Sequence, residues 1–375
     1  MEINLTQLPI NIPLNDFHKY NGAKMVPFAG YNMPINYKNG IINEHKIVRS
    51  NCGIFDVSHM GQILIPNNKS NINNLKKYIP LNLDELQSNK SYYSFLLNNK
   101  GGIIDDLILS NITLDNEIFF YIIYNASRKK IDEEILLSCT SDSKILTKNC
   151  LFAIQGPNSY EVLNSVIQIP NSMFFLDIHC FDYNANKILI SRSGYTGEDG
   201  FEISIPFEIS ENFLKQLLKN EKVILCGLGA RDSLRVEAGL SLYGNELNEN
   251  ITPIDAGLSW AINKTRLEDK KLNGIDILIN QLKDKPEYKI IGIISSDRSM
   301  IRKDMKLFDK DERNIGIVTS GCFSPLLNKS IGIAYLKSDF DLKNKIYCKI
   351  RNLLKLVIYS KLPFVKKTYK KRSYK

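Results

Sequence analysis

Two dense stretches hold the residue types that could do chemistry: Ser193-Gly-Tyr-Thr-Gly-Glu-Asp-Gly-Phe-Glu-Ile-Ser204 and Cys226-Gly-Leu-Gly-Ala-Arg-Asp-Ser-Leu-Arg-Val-Glu-Ala-Gly239. In the first, Phe201-Glu-Ile-Ser-Ile205 alternates, so a strand there turns Phe201, Ile203 and Ile205 to a core and Glu202 to the other side. A carboxylate presented in this way can accept two adjacent N–H donors together, which is what the edge of a pterin offers. Gly194, Gly197 and Gly200 permit close backbone approach, and Tyr195 supplies a stacking face. In the second stretch, Arg231 and Arg235 lie one turn apart and share a face near a helix start. A guanidinium fork suits the carboxylate of a glutamyl group. Together these groups could hold a folate by its two ends. The ordinary alternatives are a solvated strand glutamate and pairing of the arginines with Asp232 or Glu237; pairing is an even alternative for Arg235 and the lesser one for Arg231.

Asp105 and Asp106 follow the Gly101-Gly102 turn, and strand alternation sends their side chains to opposite faces. One then points into a site while the other faces water or caps the turn, although an Asp pair after Gly-Gly is commonly turn chemistry. Ser58-His59 is not a nucleophile–base pair, since adjacent residues of an extended segment diverge; His59 is expected to be a hydrogen-bonded structural histidine. The four histidines have no metal-ligand spacing, and no metal is expected.

The elements that must position these residues are legible in outline. Gly40 to Gly53, Asn71 to Tyr78, Ser127 to Leu137, Asn158 to Val166, Glu211 to Leu218 and Gly229 to Ala238 read as helices. Gln62 to Ile65, Ile118 to Tyr124, Leu151 to Gln155 and Lys187 to Ser191 read as strands, and Tyr92 to Leu109 as a hairpin turning at Asn98 to Gly102. Without a strict βαβ beat this is an α+β arrangement: two mixed α/β lobes over residues 1–270. After the charged stretch Lys264 to Lys285, short strands with turns suggest a separate all-β barrel or sandwich over residues 285–375, with Tyr347 to Tyr359 as its last segment. No convincing repeat and no phosphate-type glycine loop occurs.

Bulk properties set limits. At 375 residues and 43% hydrophobic content the chain can bury a sizeable core, and no apolar run approaches the ~20 residues of a membrane helix. Seven cysteines form no C-x-x-C pair and suit reduced thiols; Met1 to Leu14 has the features of neither a signal nor a transit peptide, so a cytoplasmic protein is expected, with the mitochondrial matrix as the lesser alternative. The net charge of +9 follows largely from a Lys, Asn and Ile bias, and no nucleic-acid partner is expected. Residues 364–375 hold six basic residues and no acid, which reads as a solvated tail or, alternatively, as a dock for an acidic protein.

The sequence closely resembles the aminomethyltransferases of the glycine cleavage system. The resemblance runs through Lys24-Met-Val-Pro-Phe-Ala-Gly-Tyr-Asn-Met-Pro34, Phe55-Asp-Val-Ser-His-Met60, Gly101-Gly-Ile-Ile-Asp-Asp-Leu107, Ile154-Gln-Gly-Pro157, Gly194 to Gly200, Gly229 to Gly239, Leu242-Tyr-Gly244, Thr319-Ser-Gly321 and Phe323-Ser-Pro325. It implies a folate-binding pair of lobes with a C-terminal barrel. It also implies tetrahydrofolate as the acceptor of an aminomethyl carbon carried on the lipoyl arm of H-protein, with ammonia and 5,10-methylenetetrahydrofolate as products. Carried over by motif, the resemblance makes Asp105 the catalytic acid. Glu202 then binds the pterin and Arg231 the glutamyl end, with Tyr369, Tyr93, Asn125 and Tyr195 as further folate contacts. A paralogue serving iron–sulfur cluster assembly or RNA modification would carry a Lys-Gly-Cys-Tyr-type motif, absent here, and the folate modules of sarcosine-type oxidoreductases would carry a flavin domain.

Overall fold

The computed structural model describes residues 8–372, and the two ends, 1–7 and 373–375, lie outside that range together with parts of the leader and tail readings. Two antiparallel-rich sheets form the body. One has six strands in the order Ile178–Tyr183, Asn186–Ser191, Gly200–Pro206, Asn149–Gln155, Cys52–Asp56, Val223–Leu225, with only the last pair parallel. The other has five, in the order Lys90–Leu97, Ile103–Leu114, Glu117–Tyr124, Gly61–Pro66, Lys144–Ile145. The chain leaves the first sheet after Asp56, builds the second, and returns at Asn149, so the lobes are interleaved.

Alternation decides what fills each layer. Cys150, Phe152 and Ile154 join Phe201, Ile203 and Ile205 in a core on the outer side of the six-stranded sheet. Leu151 and Ala153 point the other way, into a shared core with Tyr121, Ile123 and Ile112 of the five-stranded sheet. Leu107, Leu109, Phe120 and Ile122 fill the far side of that second sheet under the Lys69–Leu75 and Lys129–Cys139 helices. A small sheet of Ile10–Asn11, Tyr31–Asn36 and Lys24–Phe28 precedes them.

Six strands between Tyr288 and Ser360 close into a barrel around Ile291, Ile293, Val318, Leu336 and Val357. The segment Tyr347 to Tyr359 is two strands, Ile346–Ile350 and Leu353–Ser360, turning at Arg351 and Asn352, both in the left-handed region. The charged stretch before the barrel contains a helix, Ile275–Lys283, whose Ile275 and Leu278 are buried. The barrel docks on the Leu228–Glu237 helix through Ser320 and Ser324, and polar pairs within the lobes hold the same helix. Arg235 donates to Glu246 (3.0 Å) and to Ser320 Oγ (2.7 Å), while Glu237 meets His45 (2.9 Å), Arg49 (2.9 Å) and the hydroxyl of Ser324.

Candidate functional site

Glu202 sits on the Gly200–Pro206 strand with its side chain opposite the core-facing Phe201 and Ile203, turned toward the second sheet. It is half-buried, and Ser193 Oγ donates to its Oε2 at 2.6 Å. The glycines upstream make room for a side chain of the fold itself. A Cβ on Gly194 would lie 1.9 Å from Gln155 Oε1, and Gln155 ties the loop by donating to Ser193 O (2.9 Å) while accepting from Thr196 Oγ1 (2.8 Å). Gly197 is needed in its own right, at φ +83°.

The two arginines of the Leu228–Glu237 helix part company. Arg235 is consumed structurally, by Asp232 (2.9 Å), Glu246 and Ser320. The Arg231 side chain has no hydrogen bond or ion pair among the described residues; its Nη1 is enclosed, and its guanidinium lies over the Tyr195 ring at 4.8 Å. Burial lowers the Arg231 pKa, opposed by the charge of Glu202 and by Tyr195, so these groups are within electrostatic reach of one another. Tyr195 is pinned by its hydroxyl to Ser241 O, and its phenol is pushed up by burial, with Asp106 among the charges acting on it.

Asp105 and Asp106 do not diverge as simple alternation requires. Asn125, just past the neighbouring strand, straddles them: its backbone N–H reaches Asp105 Oδ2 (2.9 Å), and its side-chain amide reaches Asp105 Oδ1 (2.9 Å) and Asp106 Oδ1 (2.8 Å). Tyr93 donates to the other oxygen of Asp106 at 3.0 Å and stacks on Trp260, ring centroids 5.8 Å apart. Burial pushes Asp105 up to about 6 and Asp106 up to about 7, the second also by the charge of the first. Tyr93 in turn senses both Asp carboxyls and Tyr195. Asp105, Asp106, Tyr93, Tyr195, Arg231 and Glu202 thus form one connected electrostatic neighbourhood.

Tyr369 joins it from the far end of the chain. Residues 363–372 are not a free solvated tail: Thr368 donates through its N–H to Gly197 O (2.9 Å) and through its hydroxyl to Glu198 (2.5 Å), and Phe175 N–H donates to Lys370 O (2.8 Å). Tyr369 stacks flat on Phe175, centroids 4.1 Å apart at 2°, and burial pushes its phenol up to about 12, with Glu198 and Glu202 adding to the shift. Lys370 and Arg372 are engaged with Asn171 and Asp177, and the segment as far as Arg372 lacks the freedom that composition implied because backbone pairing with the Gly197 loop anchors it.

Several features were missed or read otherwise. His59 is buried, and its Nδ1 has no partner, instead of being hydrogen-bonded; its ring meets Phe28 and Tyr31 edge-on, and burial together with Arg231 holds it down at about 3. Trp260, 69% exposed beside Tyr93, is the chain's one tryptophan, a count that was visible beforehand. Asp132, buried near Asp105, is set in Lys129-Lys-Ile-Asp-Glu-Glu134 and looks like any surface-helix acid. Among the described residues no group of three or more His, Cys, Asp or Glu side chains could hold a metal ion.

Interleaved mixed α/β lobes and a closed six-stranded barrel docked on one helix define a three-part α+β protein. Residues 14–266 match the family model of the GCVT N-terminal domain and residues 289–366 that of the glycine cleavage T-protein C-terminal barrel domain, and the chain belongs to this aminomethyltransferase family. It is 39% identical over 373 residues to the mitochondrial aminomethyltransferase of Pisum sativum, covering 96% of this chain and 90% of the relative. The mitochondrial aminomethyltransferase of Dictyostelium discoideum is 37% identical over 379 residues, covering 96% and 93%. The crystal structure of glycine cleavage system aminomethyltransferase T from Bartonella henselae superposes with a TM-score of 0.90 at 34% identity, covering 96% of this chain and 99% of the other. The chain is therefore an enzyme, an aminomethyltransferase, of a family that uses tetrahydrofolate as substrate. The same comparisons overturn the cytoplasmic expectation, since these curated relatives, and those of Flaveria pringlei and Schizosaccharomyces pombe, are mitochondrial proteins. That expectation rested on the cysteine count and on the composition of Met1 to Leu14, and neither is specific enough to decide the compartment.

Proposed function

We propose that this chain moves a one-carbon unit from the aminomethyl-dihydrolipoyl group of an H-protein to tetrahydrofolate, releasing ammonia and giving 5,10-methylenetetrahydrofolate. The observation that carries this reading is the half-buried Arg231 guanidinium, held over Tyr195 within reach of Glu202 with its enclosed Nη1 unpartnered, because a partly desolvated cation without a counter-ion is unfavourable and a ligand can supply the anion. A folate glutamyl carboxylate supplies it, and Glu202 then accepts the pterin N–H pair. Tyr195, Tyr93, Asn125 and Tyr369 complete the folate contacts. Residues 1–270 act as the folate-binding region and 285–375 as the barrel unit.

Asp105 is the catalytic carboxyl of this reading. The carbon must leave sulfur and nitrogen and bond to two folate amines. Each amine gives up one proton; one proton ends on the lipoyl sulfur and the other leaves with ammonia. Asp105 positions the attacking amine and, through its carboxylate charge, stabilises the iminium-like carbon, while burial raises its pKa above the ordinary carboxylate value. Holding lipoyl carbon and folate nitrogen together contributes as much as proton transfer. Incubating the purified protein with aminomethyl-loaded H-protein and tetrahydrofolate should yield ammonia and methylenetetrahydrofolate in equal amounts. Ammonia release that does not depend on folate would count against the reading.

A further inference from the structure

Asp132 lies in the first turn of the Lys129–Cys139 helix and has no solvent exposure. Both of its carboxyl oxygens are sealed, and no N–H or O–H among the described residues reaches either. Proteins avoid an ionised carboxylate in that state, by pairing it or by protonating it. Arg128, directly before the helix, does not pair with it. Its Nη2 is taken by Glu249 at 2.5 Å, its guanidinium packs on Tyr243 at 5.1 Å, and its Nε is itself buried without a partner.

The group in contact with Asp132 is the Asp105 carboxyl. Two carboxylates are both acceptors and cannot meet without a proton between them. The proton's owner follows from the donor count. Asp105 accepts two N–H bonds from Asn125, which favour its charged form, whereas Asp132 accepts none. The other groups facing Asp132 are Asp106, Arg128, Tyr124 and Tyr243, with Glu133 held aside by the Tyr124 hydroxyl at 2.8 Å. Burial and the two neighbouring Asp charges all favour the neutral acid, and Arg128 alone opposes them.

We propose that Asp132 is a positioning residue, a protonated carboxylic acid whose O–H donates to Asp105 and keeps that carboxylate oriented and ionised. The inference rests on the proposed function for the part Asp105 plays in the reaction. With Asp132 in place, Asp105 accepts three donors, two from Asn125 and one from Asp132, and the pair retains one proton through the neutral range.

Infrared difference spectroscopy of the full chain at about pH 8, where free carboxyls are ionised, reads the carbonyl stretch of a protonated acid directly. The expected band is present in the unaltered protein and lost in Asp132→Asn. A spectrum of the unaltered protein with no protonated-acid band overturns the proposal and needs no variant to fold. The pH profile of kcat/KM gives a second reading. Asp132→Asn keeps an amide donor and leaves the acidic limb near its place, while Asp132→Leu removes the donor and moves that limb up by about one pH unit. A limb that moves down in Asp132→Asn means that Asp132 was ionised and overturns the proposal. Full turnover in Asp105→Asn would instead remove the catalytic assignment of Asp105 and leave the infrared result standing, so the two ideas fail separately.

Discussion

Arg231→Met separates a ligand-binding guanidinium from a structural one, because the two roles predict opposite signs. In the ligand-free protein the Arg231 Nη1 donates to nothing, and a buried donor left unmade costs about 1–3 kcal/mol. The Tyr195 face returns about 0.5–2 kcal/mol, and solvent that still reaches part of the residue reduces the penalty further. Methionine keeps an unbranched stem against the same ring and buries no charge. The ligand-free variant should therefore gain about 0.5 kcal/mol, a rise in Tm of under about 1 °C for a chain of this size. Folate binding should move the other way. Losing charge-assisted hydrogen bonds to a carboxylate costs about 1.5–3 kcal/mol, a rise in Kd of roughly 10- to 150-fold. Calorimetric titration with tetrahydrofolate and with the same pterin lacking its glutamyl group is the assay. The unaltered protein should prefer the glutamylated ligand, and Arg231→Met should bind both alike. A lower Tm with an unchanged Kd would show that Arg231 is structural and would refute the reasoning.

Two further outcomes follow from the same neighbourhood. Asp105→Asn should lower kcat by about 10²-fold or more while tetrahydrofolate Kd stays within about twofold, read by stopped turnover and by calorimetry; equal loss of both would deny Asp105 its role. His59 stays neutral in the folded state down to about pH 3 but takes up a proton near 6.5 when unfolded, so its contribution to stability is complete above about 6.5 and is lost as pH falls from there. Asp105 and Asp106, held up at about 6 and 7, act in the opposite sense over part of that window and are common to both proteins being compared. Urea unfolding should show His59→Gln gaining on the unaltered chain by roughly 1.4 kcal/mol per pH unit below about 6.5, and parallel curves would refute the assignment.

What was legible in the sequence was what depends on neighbours along the chain. The alternation at Phe201 to Ile205 fixed the face on which Glu202 stands, and the Gly101-Gly102 turn fixed the hairpin that delivers Asp105. The small N-terminal sheet was not legible, since Pro27 and Pro34 argue against strands. The fold admits them by putting Pro27 on an edge strand and Pro34 where the register slips between Lys24 and Met25. The Ile275–Lys283 helix was hidden by the charges flanking it, although Ile275 and Leu278 mark its buried side. The convergence of Asp105 and Asp106 depends on Asn125, which arrives from the next turn of the meander, and local alternation has no term for such a straddling amide.

The different fates of Arg231 and Arg235 show why the barrel belongs to the chemistry even though the proposed contacts from beyond the lobes come only from Tyr369. One turn of helix separates two identical side chains, and nothing local distinguishes them. Ser320 and Glu246 do, by taking up Arg235, while Ser324, His45 and Arg49 take up Glu237 on the following half-turn. These buried pairs fix the rotation of the Leu228–Glu237 helix about its axis, and that rotation leaves Arg231 over Tyr195 with no partner. A guanidinium already packed on the Tyr195 ring loses less side-chain freedom when an anion arrives, so the polar interface between lobe and barrel is a source of preorganisation as well as of cohesion.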